Sequence, residues 1–184
     1  MVNITIEEIY KNVCDKASDI NEHLPTLRKY AEGCDLVVEM GVRWVVSTWA
    51  FLAAKPKKLL SIDIVHPNTF GSNLDAVNQI CKAENQDFEF IQGDTTRITI
   101  PQCDFLFIDT WHVYDQLKIE LDRHCDKVNK FIALHDTETF GKVGETPSHK
   151  GLQFAVDEFL ESKPEWQLEK HYENNNGLTI LKRV

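Results

Sequence analysis

The sequence is poor in glycine, proline and basic residues, and it contains no long apolar run. Eight glycines and six prolines in 184 residues leave no room for a low-complexity linker or a collagen-like repeat. Nowhere do about 18 apolar residues follow one another, so a membrane-spanning helix is not expected. The start, MVNITIEEIY, has neither the basic region nor the apolar core of a secretory signal. Five cysteines, at 14, 34, 81, 103 and 125, are odd in number and never spaced CxxC. That pattern excludes a disulfide framework and a zinc ribbon, and it implies reduced thiols in a cytoplasmic setting. Twenty Lys and Arg against 29 Asp and Glu give a net charge of −9. Lys55-Pro56-Lys57-Lys58 is the longest basic stretch, too short to track a phosphate backbone. Nucleic acid and membrane are therefore not expected partners.

What is present reads as one domain over residues 1–184, with 1–34 as an N-terminal helical extension. A chain of this length buries roughly 70% of its unfolded surface, enough for a core without staples. Thr5-Ile6-Glu7-Glu8 forms a capping box, so a helix begins there. A second helix is expected near 24–32, with Pro25 in its first turn and Gly33 at its end. Strands and helices then alternate. Strands are expected at 35–40, 58–63, 88–92, 103–109 and 129–135, and helices at 44–54, 72–84, 113–126 and 150–162. The strands are short continuous apolar runs, as when both sheet faces are covered. The C-terminus breaks the alternation: two strand runs, 165–173 and 178–183, flank Asn174-Asn175-Asn176-Gly177, a hairpin signal. The expected fold is a doubly wound, Rossmann-like α/β sheet, mostly parallel, with a C-terminal antiparallel hairpin and two N-terminal helices.

In such sheets ligands bind beyond the carboxyl ends of the strands. Those ends carry Glu39 and Gly41, Asp63, Asp94, Asp109, and His135-Asp136. Leu36-Val37-Val38-Glu39-Met40-Gly41 runs into a glycine turn, and 22 residues beyond that glycine, Leu59-Leu60-Ser61-Ile62 ends at Asp63. Glycine admits a close backbone approach, and the acid suits ribose hydroxyls. The turn is not GxGxxG. A pyrophosphate needs more glycines, so the pattern leans toward S-adenosylmethionine rather than NAD. A lone strand-end aspartate is often only a helix cap; five carboxylates in register are harder to explain that way.

The order of elements, the terminal hairpin and the strand-end acids resemble class I S-adenosylmethionine-dependent methyltransferases. More narrowly, the chain resembles the cephalosporin-hydroxylase-like and macrocin O-methyltransferase-like group. The segments that carry the resemblance are VVEMGVRWVVSTWAFL, LLSIDI, FIQGD, DFLFIDTWHVYDQLKIEL, KFIALHDT and HYENNNGLTILKR. The resemblance implies that Glu39 and Gly41 hold the amino-acid end of the cofactor, that Asp63 takes the ribose and that Asp94 lies near the adenine. Ser47, a retained position of the first motif, and Asp109 join that set. Asp109-Thr110-Trp111-His112 matches the family's Asp-x-x-His stretch at the lip of the site. One departure stands out: the family's second turn glycine is replaced by Val45, whose side chain would crowd the methionine end if it faced the ligand.

Asp109, His135 and Asp136 offer oxygen and nitrogen donors that suit Mg²⁺ or Mn²⁺. The alternative is that Asp136 caps a turn and His135 hydrogen-bonds in the core. His112, with an ordinary pKa near 6.5, is a candidate acid–base residue; the alternative is a solvent-facing helix histidine. Asp109 is the second catalytic candidate. Trp44 and Trp111 are candidates for a pocket wall, Trp49 for the core, and residues 137–150 for a lid or a plain connection. The expected activity is transfer of a methyl group to a small-molecule hydroxyl, with or without a divalent cation. The competing reading is a non-catalytic binding protein of the same fold, with Val45 and His135 marking lost sites. The methyl acceptor is not legible, and self-association is left open.

Overall fold

The computed structural model describes residues 4–184; the first three residues of the N-terminal stretch lie outside it. Thirteen regular elements follow in the expected order. Helix α1 (Ile6–Asp15) starts at the Thr5 capping box, in which the Thr5 side chain accepts from the Glu8 N–H and the Glu8 carboxylate accepts from the Thr5 N–H. Helix α2 (Leu24–Ala31) carries Pro25 in its first turn. The alternating part comprises β1 (Leu36–Met40), α3 (Val46–Ala53), β2 (Lys58–Asp63), α4 (Leu74–Ala83), β3 (Asp87–Gln92), β4 (Cys103–Ile108), α5 (Tyr114–His124), β5 (Val128–His135) and α6 (Leu152–Ser162). It closes with β6 (Trp166–Tyr172) and β7 (Leu178–Arg183).

The seven strands form one sheet in the order β3-β2-β1-β4-β5-β7-β6. The pairings β3-β2, β2-β1, β1-β4 and β4-β5 are parallel. Strand β7 runs antiparallel to both β5 and β6, as the Asn-Gly turn requires. The winding direction reverses between β1 and β4, which opens a crevice at their carboxyl ends.

Strand side chains alternate between two cores. Val37, Leu59, Phe105, Phe107 and Ala133 pack beneath α1–α4, while Val38, Leu60, Leu106, Ile132 and Leu134 pack beneath α5 and α6. That division explains the continuous apolar runs: each face needs every second residue. Ile6, Tyr10, Leu24, Leu27 and Ala31 join the first core, so α1 and α2 form part of the domain's packing rather than an appendage. All five thiols are free, four of them buried. No helix among the described residues is long and apolar enough to cross a membrane.

Three helices start two residues later than the sequence implied; α4 begins at Leu74 rather than 72, with Asn73 as its cap. Helix α3 begins at Val46 rather than 44, because Arg43 and Val45 adopt left-handed backbone at φ 43 and φ 63. Helix α6 begins at Leu152 rather than 150, since Lys150 is bridged to Val143.

The tip of the β6-β7 hairpin joins distant parts of the chain. The Asn175 side chain accepts from the Glu22 N–H at 3.0 Å and donates to the Ser18 carbonyl at 2.9 Å. The Asn176 carbonyl accepts from the Glu138 N–H at 2.9 Å, and the Asn174 carbonyl lies 2.9 Å from Nε2 of His23.

Candidate functional site

A cavity of about 440 Å³ opens at the switch point. Its walls include Gly41 and Ser47 from the β1–α3 turn, Asp63 after β2, Asp94 after β3, Asp109 and His112 after β4, and Asp136 after β5. The sequence-derived set converges there, with two exceptions, Glu39 and His135.

Glu39 is fully buried and does not reach the cavity wall. Its Oε1 accepts from Ser47 Oγ at 2.6 Å, and its Oε2 accepts from Ser61 Oγ at 2.5 Å and Thr48 Oγ1 at 2.9 Å. Burial pushes its pKa up to about 7 against the pull of those hydroxyls. Direct contact of Glu39 with a cofactor is therefore corrected to a role beneath the turn. Strand alternation explains it: Glu39 shares a sheet face with Val37, under α3.

Gly41 has φ +85, and a side chain there would collide with the backbone of Asp109. The glycine is needed for two strand ends to meet, not only for ligand approach. Asp63 then locks the turn. Its Oδ2 accepts from the Val42 and Arg43 N–H groups at 2.8 and 3.0 Å, and its Oδ1 accepts from the Val65 N–H at 2.9 Å. A carboxylate has about four acceptor positions, so one remains for a ligand hydroxyl. Val45 is buried in the core below and is not part of the cavity wall. Its side chain does not crowd the site; the departure from glycine falls instead on the backbone, held left-handed. Asp94 accepts at Oδ1 from the Thr96 N–H and hydroxyl, and its Oδ2 lies 3.1 Å from Nε of Arg97.

The second constellation lies at the ends of β4 and β5. Nε2 of His112 is 3.1 Å from Asp109 Oδ1 and 3.0 Å from Asp136 Oδ2, and its Nδ1 is 3.1 Å from Glu145 Oε2. The ring stacks on Phe140 at 5.0 Å between centroids. Burial alone would lower the His112 pKa, but Asp109 and Asp136 raise it to about 10. With no cation between them, the two carboxylates favour a protonated ring over the neutral base expected of an ordinary histidine. Against the effect of burial, the two imidazoles bring Asp136 down to about 2 and hold Asp109 well below the usual carboxylate range. Asp136 itself sits at φ 60, a left-handed position at a site edge.

His135 departs from the expected ligand set. Its Nε2 lies 3.2 Å from the Asn175 carbonyl, and it is nearly fully buried, edge-on to His23 at 5.7 Å. Its Nδ1 lies 3.4 Å from Asp109 Oδ1 and 3.6 Å from Asp136 Oδ2 without a hydrogen bond to either. The described residues bring together Asp109, His112 and Asp136 instead, with donor atoms all within 4.8 Å of one another. In an octahedral shell of about 2.1 Å radius, neighbouring ligands stand about 3 Å apart, which matches the His112 contacts. Asp136 Oδ1 is buried and unpartnered. The donor set and that orphaned oxygen fit a divalent cation of the Mg²⁺ or Mn²⁺ kind.

Trp44 and Trp111 are about half exposed and line the mouth with Phe70, whereas Trp49 is core, as expected. The 137–150 loop is pinned: the Glu145 N–H donates to the His112 carbonyl at 2.9 Å, and Val143 bridges Lys150. Sequence reasoning missed Glu145, Arg43 and Phe140. Glu145 sits in an aperiodic loop and carries no signal; Arg43, two residues past the turn glycine, does.

Comparison with known proteins bears on the fold. No protein-family model and no curated protein matches the chain. Solved structures do. An SAH-bound methyltransferase of Podospora anserina, PaMTH1, superimposes with a TM-score of 0.66 at 14% identity, covering 97% of this chain and 87% of that one. A proposed O-methyltransferase of Klebsiella pneumoniae gives 0.65 at 15% identity, with 97% and 89% covered. A proposed caffeoyl-CoA O-methyltransferase of Staphylococcus aureus gives 0.62 at 15% identity, with 99% and 93% covered. At such identities the likeness is one of fold: the sheet order, the antiparallel hairpin and the flanking helices are shared with methyltransferases.

Proposed function

We propose that this chain is an S-adenosylmethionine-dependent methyltransferase that acts on a hydroxyl of a small molecule. The observation that carries this reading is the convergence of Gly41, Asp63, Asp94, Asp109 and Asp136 on one cavity at the switch point of a methyltransferase-fold sheet. The cavity volume of about 440 Å³ falls within the usual range for small-molecule sites. The intact turn argues against a degenerate binding protein, since Val45 leaves the cavity clear.

When bound, S-adenosylmethionine supplies an electrophilic methyl group, and a divalent cation would lower the pKa of an acceptor hydroxyl. Asp63 would hold the ribose through its remaining acceptor position, and Asp94, which lines the same cavity, would face the adenine. Asp109, His112 and Asp136 would hold the cation. His112 is steadied by Glu145 and Phe140 with its Nε2 between Asp109 and Asp136, and it would give up the Nε2 proton on ligating the cation. With the histidine committed to the cation, the proton of an acceptor hydroxyl would go to a carboxylate of the cavity wall. Trp44, Trp111 and Phe70 offer aromatic surface to a ligand at the cavity wall.

The test is thermal denaturation with S-adenosylmethionine, S-adenosylhomocysteine, NAD and Mn²⁺. A ligand at 100 times its Kd adds about 2.7 kcal/mol of stability, or about 5–10 °C for a domain of this size. S-adenosylhomocysteine is expected to produce that shift and NAD none. A shift with NAD alone, or none with millimolar S-adenosyl ligands, overturns the reading.

A further inference from the structure

We infer that Arg43 receives the carboxylate at the amino-acid end of the cofactor. This assignment rests on the S-adenosylmethionine reading above and adds a residue that the motif does not specify.

The cofactor's amino-acid end carries an ammonium and a carboxylate. The ammonium is easily served, because Asp19, Asp63, Asp94, Asp109, Asp136 and Glu145 all line the cavity. The carboxylate meets repulsion from the same walls and needs a cation. Among the described residues two basic side chains line the cavity, Arg43 and His112. Both ring nitrogens of His112 are engaged with carboxylates, at 3.0–3.1 Å. Arg43 makes no ion pair among the described residues; its guanidinium lies 3.9 Å over the ring of Trp44. Stacking occupies one face of the planar group and leaves its N–H edge open, the edge that grips a carboxylate in a two-pronged fork.

The backbone anchors this residue at the ribose acid. The Arg43 N–H donates to Asp63 Oδ2 at 3.0 Å, and φ 43 turns the residue out of the incipient helix. The residues first expected at this end are committed elsewhere. Ser47 Oγ donates to Glu39, and Glu39 accepts from three hydroxyls in the core. Arg43 is the free group that remains.

The experiment compares two probes by calorimetry: S-adenosylhomocysteine, which has the amino-acid end, and 5′-methylthioadenosine, which lacks it. In the wild type the first should bind more tightly. Arg43→Ala should weaken S-adenosylhomocysteine roughly 10–100-fold, the range for losing a charged hydrogen bond, and leave 5′-methylthioadenosine within about twofold. Arg43→Lys, which keeps the charge but not the fork, should retain part of the preference. Circular dichroism checks that each variant is folded, and Arg43→Met, which keeps the stem over Trp44, gives a second neutral variant. Equal weakening of both probes, or of neither, overturns the assignment while leaving the cofactor reading in place. A wild type that binds neither probe removes the cofactor reading and this assignment together.

Discussion

A Cβ built on Gly41 would lie 1.8 Å from the carbonyl oxygen of Asp109. The turn after β1 and the strand end that carries the acid–base cluster are therefore packed backbone against backbone. The glycine turn and the Asp109 strand end form one packed unit, so a shift of one displaces the other.

Gly41→Ala tests this unit. It requires both an alanine at φ +85 and displacement of the β4 end. The left-handed backbone alone costs about 1–2 kcal/mol, and the clash adds to it. The melting temperature should fall by at least about 3 °C, and S-adenosylhomocysteine binding should be lost. A variant that melts and binds as the wild type does would show that the strand ends give way freely.

Val45→Ala separates packing from binding. Val45 is buried in the core beneath α3 and away from the cavity. Removing two buried carbons should cost about 1–3 kcal/mol, while S-adenosylhomocysteine affinity should stay within about twofold. A change in affinity larger than the change in stability would place the side chain against the ligand.

Glu39 predicts a pH trend. Its pKa rises from an ordinary 4.5 to about 7 on folding. A raised carboxyl favours the folded state while protonated, so the contribution is full below pH 4.5 and declines as pH rises to about 7. The decline is on the order of 3–4 kcal/mol at most. Glu39→Gln keeps the shape without the titration. Denaturant midpoints of wild type and variant should therefore converge or cross between pH 4.5 and 7, the wild type losing ground as pH rises. Parallel curves across that window would show that Glu39 ionises normally.

The Asp109, His112 and Asp136 cluster yields a ligand series. Calorimetry with Mn²⁺ should show binding that His112→Ala and Asp136→Ala reduce most. His135→Gln keeps a donor toward the Asn175 carbonyl and removes only an outer partner, so its loss should stay within roughly 10–100-fold. The reverse order, with His135→Gln the more damaging, would restore His135 as a ligand and leave His112 outside the shell.

Much of this arrangement was legible in the sequence because burial on both sheet faces imposes continuous apolar strands, and each strand's last residues then declare themselves. Asp63, Asp94, Asp109 and Asp136 were found that way. The hairpin was found because Asn and Gly tolerate left-handed backbone; Asn175, Asn176 and Gly177 all adopt it. The start of α3 was hidden for the converse reason: arginine and valine occupy left-handed positions that their side chains do not announce. The exchange of His135 for His112 follows from strand alternation. His135 falls on the face of Phe131 and Ala133 beneath His23, and adjacency to Asp136 in sequence is no guide to that. His112 reaches the carboxylates through the path of the loop after β4, and Glu145 through a loop with no periodicity at all.

The contacts of the hairpin tip also bear on how the site is made during synthesis. Asn175 binds the Ser18 carbonyl and the Glu22 N–H, more than 150 positions upstream, and its carbonyl faces His135. The parallel strands and the acids at their ends are translated well before this turn. The segment bearing Asp19 and Ile20 then waits without its anchor, and His135 without its acceptor, until the hairpin leaves the ribosome. A nascent chain halted before residue 174 should therefore hold a partly built sheet but no finished cavity, with apolar surface exposed in the interval when chaperones act.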